Sequence, residues 1–74
     1  MEFELYHALK SKYEAEIRQQ EYMIKTWLKN QTVIPEHMNI LEDLDKAITF
    51  IADYEERLAT LERLYDETTP DLYH

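Results

Sequence analysis

The sequence predicts an all-α protein, an antiparallel two-helix hairpin that dimerises into a four-helix bundle. Three observations carry this reading. Apolar residues recur at steps of three and four through two segments of similar length. The only prolines, Pro35 and Pro70, separate those segments from each other and from a short tail. Acid–base pairs sit four apart with the acid first, the favourable order on a helix.

In the first segment Tyr6, Leu9, Tyr13, Ile17, Gln20, Ile24 and Trp27 share one face at a period of 3.6, and Phe3, Met23 and Leu28 widen it. Glu14/Arg18 and Glu21/Lys25 brace its outer side at about 0.2–0.5 kcal/mol each, so packing has to supply the rest. Helix 1 is expected over about residues 2–30, with Asn30 a tolerable left-handed cap in a chain that has no glycine. The turn then covers residues 31–35.

The second segment repeats the pattern at Leu41, Leu44, Ile48, Ile51, Tyr54, Leu58, Leu61 and Tyr65, with Ile40, Ala47 and Phe50 alongside. Glu42/Lys46 and Asp53/Arg57 are its helical pairs. Two starts offer themselves: Pro35, suited to a first helical turn, and Asn39, which with Glu42 forms a capping box. Helix 2 is expected over about residues 36–68, and the tail 69–74 frays or docks through Leu72 and Tyr73.

Each helix would be roughly 45 Å long at about 1.5 Å per residue, and matched lengths with a short connection give a hairpin. The steps are not strictly heptad. Residues 9, 13 and 17 make a stutter and 48, 51 and 54 a stammer, so the expected supercoil is irregular. On helix 2 the apolar side chains spread over about half the circumference, more than one neighbouring helix covers. A chain this small also builds little core alone, so the second face is assigned to a second copy, while a partner helix from another protein would serve equally well. The expected oligomer interface comprises Tyr13, Ile17, Ile24, Trp27, Leu44, Ile48, Phe50, Ile51, Tyr54, Leu58, Leu61 and Tyr65.

Composition narrows the chemistry. The 74 residues contain no glycine and no cysteine, which excludes glycine-rich phosphate loops, thiolate nucleophiles, disulfides and cysteine-ligated metals. The net charge of −8 opposes direct contact with nucleic acid or anionic membranes. Residues 38–74 hold three basic and ten acidic groups and so carry most of that charge. No signal peptide or membrane span is read, and the chain is expected to be soluble and cytoplasmic. Ser11, the threonines and the three histidines assemble no catalytic grouping, so no enzyme activity and no cofactor are expected.

Glu55 and Glu62 project near the middle of the helix 2 apolar face, where a carboxylate needs a partner or water. Glu4 and His7 form a Glu-x-x-His unit that the hairpin brings near Glu62. Doubled in a dimer, Glu4, His7 and Glu62 would supply the ligand inventory of a dinuclear metal bundle, although Glu4 projects outward. Wetting of both helix 2 glutamates at the seam margin is the preferred reading.

Trp27, Leu28, Val33, Ile34 and Met38 cluster about the connection and are expected to cap the bundle, Trp27 against Ile40 and Leu41. Tyr22 projects outward between Arg18 and Lys25 and is the best single contact candidate. The outward acids Glu42, Asp45, Asp53 and Glu56 are candidate partner-binding residues, and also the basis for an alternative reading as a nucleic-acid mimic that blocks a basic groove. In style the chain resembles small free-standing acidic hairpins among accessory proteins of bacteria and their viruses, a likeness that assigns no site residue. The expected function is a small acidic interaction module, acting as a homo-oligomer on another protein as regulator, adaptor or inhibitor.

Overall fold

A computed structural model describes residues 2–29 and 39–68. Two α-helices account for them, α1 (Glu2–Lys29) and α2 (Ile40–Thr68), packed against each other along a body of 55 × 18 × 16 Å. The expected hairpin architecture is therefore present, with no strand among the described residues. The Asn30 cap, the turn at 31–35 with Val33, Ile34 and Pro35, Met38 after it, and the tail 69–74 lie outside the described residues.

Of the two possible starts for α2, Asn39 supplies the cap. Its Oδ1 accepts the Glu42 backbone N–H at 3.2 Å, and its Nδ2 donates to the Glu42 carboxylate at 3.2 Å. The Asn39 carbonyl accepts the Asp43 N–H at 2.9 Å, the first helical bond. Glu42 and Asp43 then place negative charge on the positive end of the helix dipole.

Threonines, poor helix formers by propensity, are accommodated by bonding back one turn. The hydroxyls of Thr26, Thr49 and Thr68 donate to the carbonyls of Tyr22, Asp45 and Leu64 at 2.7–2.9 Å. The two ion pairs expected on α2 form, Lys46–Glu42 at 3.7 Å and Arg57–Asp53 at 2.9 Å. Arg63–Glu67 at 2.9 Å adds a third with the base first. The α1 pairs Glu14/Arg18 and Glu21/Lys25 are not closed to ion-pair distance.

The seam is antiparallel, and its register is fixed by aromatic pairs. Tyr6 stacks on Tyr65 with ring centroids 3.9 Å apart, and Tyr13 meets Tyr54 edge-on at 5.5 Å. The same register carries Ile24 to the level of Ala47. Among the described residues only Ile17, Ile24 and Ala47 are buried.

Three expected anchors lie outside the enclosed core, Leu9 of α1 at 36% exposed and Leu41 and Ile48 of α2. Leu41 is 78% and Ile48 54% exposed, and Ala47 takes the place expected of Ile48. Ala47 lies one heptad before Tyr54, whereas Ile48 is rotated about 100° onward by the stammer. A methyl group at position 47 lets the helices approach, and the larger isoleucine is turned outward.

Candidate interaction surface

The hairpin has two long flanks, one on each side of the seam. Helical projection and the grooves between the helices assign residues to them. The first, the Leu64 flank, has Leu5 and Leu9 from α1 and Leu61 and Leu64 from α2 at the open end, where the helix 1 start meets the helix 2 finish. Its middle is polar and closed on itself. Arg57 pairs with Asp53 and lies 4.7 Å from the Tyr54 ring centroid, and Phe50 tilts against the other side of Tyr54 at 4.4 Å. Toward the turn, Met23 and Trp27 line a hollow with Asp43, Lys46 and Phe50.

The second, the Ile48 flank, is divided differently. Leu28 of α1 joins Leu41, Leu44, Ile48 and Ile51 of α2 toward the turn, seven-residue steps placing Leu41 and Ile48 in line with Glu55 and Glu62. Toward the open end the groove is lined by Glu14 and Arg18 on one side and Glu55 and Glu62 on the other, over Ile17 and Leu58. Lys10 reaches across the seam to Glu62 at 3.7 Å, both side chains partly exposed. The lysine is held above its ordinary value, first by the charge interaction with Tyr6 and then by Glu62 and Glu14.

Among the described residues seven large apolar side chains are exposed, and six of them divide between the flanks. Leu5, Leu9 and Leu64 lie on one; Leu28, Leu41 and Ile48 lie on the other. Tyr22, the seventh, is 76% exposed on the outer side of α1, as its spacing predicts.

The expected oligomer interface accordingly splits. Ile17 and Ile24 are enclosed by the hairpin itself, and Tyr13, Leu44, Phe50, Ile51, Tyr54, Leu58, Leu61 and Tyr65 are half-buried at or beside the seam. Ile48 stands out as the member most open to solvent. Trp27 is half-buried and lines the hollow with Met23 and Phe50, whereas Leu41, one of the two residues expected against it, is 78% exposed. The reason is again rotational: Trp27 lies on the Leu64 flank and Leu41 on the Ile48 flank.

Glu42, Asp45, Asp53 and Glu56 all lie exposed on the outer face of α2. Glu42 and Asp53 are tied to Lys46 and Arg57, which halves the unpaired charge of that set. Glu55 is exposed and Glu62 is taken up by Lys10, so Glu62 faces a cation instead of joining His7. His7 packs edge-on against Tyr6, ring centroids 5.0 Å apart. Glu4, His7 and Glu62 do not gather, and among the described residues no three His, Asp or Glu side chains are grouped to hold a metal.

Spacing missed Leu5 and Leu64 as surface features and Lys10 as a seam residue. Lys10 stands seven residues before Ile17, which is the signal that would have placed it there. No helix among the described residues is long and apolar enough to cross a membrane. No known family model, curated protein or solved structure matches the chain.

Proposed function

We propose that this chain is a small acidic interaction module that works as a homo-oligomer and binds another protein as regulator, adaptor or inhibitor. The observation that supports it is the ratio of core to exposed apolar surface: among the described residues, three buried against seven exposed large apolar ones. A domain with so little enclosed surface lacks the hydrophobic gain that offsets chain entropy. Covering one flank with a second copy supplies that gain, and the other flank stays open to a different protein.

Chemistry at a reactive centre has less support. The hydroxyls of Thr26, Thr49 and Thr68 are bonded to helix carbonyls, and the grooves between the helices are shallow and open. Nucleic-acid mimicry is the weaker binding reading, because lysine and arginine already answer two of its four acids.

Sedimentation equilibrium on the full chain over a wide dilution series tests the proposal. A dimer that dissociates only at high dilution is expected. A helical monomer at every concentration would remove self-association and leave both flanks to foreign partners.

A further inference from the structure

We infer that the second copy covers the Ile48 flank, with its two-fold axis parallel to the long axis, so that the two turn ends lie side by side. This rests on the homo-oligomer reading and adds to it a face and a direction.

The face follows from continuity. On the Leu64 flank the apolar run is broken midway by Asp53 and Arg57, which satisfy each other at 2.9 Å and need no second copy. On the Ile48 flank Leu41, Leu44, Ile48 and Ile51 run without a charge between them on that side of α2, with Leu28 beside them and Glu21, one heptad before Leu28, the charged group facing them from α1. Leu41, Leu28 and Ile48 are 78%, 65% and 54% exposed, three large aliphatic groups in one stretch. The size also suits: a flank of 55 × 16 Å spans roughly 900 Å², close to the about 800 Å² per partner of a standard stable interface.

The direction follows from the unequal halves of that flank. With the axis perpendicular to the helices, Leu41 and Ile48 of one copy would lie on Glu55 and Glu62 of the other, desolvating carboxylates against hydrocarbon. With the axis parallel, α2 of each copy lies over α1 of the other, so that Leu41 and Leu44 meet Leu28 near the turn. Arg18 and Glu55 line one groove at one level of the hairpin, so the parallel axis also brings Arg18 of each copy level with Glu55 of the other.

The chain has no cysteine, so single substitutions accept one nitroxide each. Lys29→Cys and Glu4→Cys put labels near the two ends of the same outer face of α1, roughly 37 Å apart at about 1.5 Å per residue. The parallel dimer is expected to give electron–electron distances of roughly 20–30 Å at both sites, the width of a four-helix bundle. A perpendicular axis, wherever it sits along the flank, forces at least one of the two beyond roughly 37 Å and overturns the direction.

The face is tested by Ile48→Glu, expected to weaken dimerisation roughly 100-fold or more because both copies lose a buried isoleucine, with helicity retained at high concentration. Leu64→Glu is expected to leave the dimer unchanged. The reverse ranking overturns the face while the homo-oligomer reading stands. A wild type that sediments as a monomer throughout overturns that reading and, with it, the inference.

Discussion

The two halves of the seam hold together by different means. Near the turn, Ile24 and Ala47 are both buried, and among the described residues no aromatic ring pair crosses between the helices there. Near the open end, Tyr6 stacks on Tyr65, Tyr13 meets Tyr54, and Lys10 reaches Glu62, with every one of these groups in partial contact with water. Close approach of small and branched side chains excludes water and supplies free energy. Rings and a half-solvated ion pair supply less, but they are directional, and a slip of one residue would break them all. With Ile17 buried between the two halves, the turn half holds more of the enclosed apolar surface and the open half the directional contacts that fix register.

Substitutions should therefore rank along the hairpin. Ile24→Asp places an uncompensated carboxylate in the closed half, and the expected result is loss of helical circular dichroism at concentrations where the wild type is folded. A helical variant with an unchanged melting temperature would mean that the buried centre lies elsewhere.

In the open half, Tyr65→Ala removes a half-buried ring and should cost roughly 1–3 kcal/mol in chemical denaturation. Combined with Tyr6→Ala in a double-mutant cycle, the pair should show a coupling of about 0.5–1.5 kcal/mol. Strict additivity would show that the rings lie near each other without interacting, and register would then need another source.

Lys10→Met should have the smallest effect, a slightly lower melting temperature at low salt that disappears in about 1 M salt. The pH dependence has a definite sign. Tyr6, Glu62 and Glu14 raise the lysine above its ordinary value of 10.5 in the folded chain. Its contribution is therefore present below that value and is lost only as the pH rises through the higher folded one. A difference between variant and wild type that persists at high salt would point to packing by the lysine stem instead of charge.

The hairpin itself was legible in the sequence because helical periodicity and the Asn39–Glu42 cap are local signals. Both depend on side chains three or four residues apart, and both are found where spacing puts them. Rotation about the helix axis was legible only in part. A residue-by-residue chain of threes and fours kept Ile48 and Leu41 on the inner face, yet the partner helix chose Ala47, because size at the point of closest approach decides which side chain faces inward. Lys10 was missed for a related reason: a charged residue at an apolar heptad position becomes a seam residue only when the opposite helix offers a carboxylate, here Glu62, and that is a tertiary fact. Of the two residues expected against Trp27, Leu41 faces out beside the half-buried Ile40, since neighbouring residues on a helix point about 100° apart.

The central claim is that the isolated hairpin encloses too little apolar surface to stand alone and is completed by a second copy. The most direct test is the melting temperature of the untagged protein over a wide range of concentration. A folded dimer that melts to unfolded monomers must melt higher as it is concentrated, and this account requires that rise. A melting temperature independent of concentration down to the dilutions at which the protein sediments as a monomer would show that one hairpin is sufficient, and would contradict it.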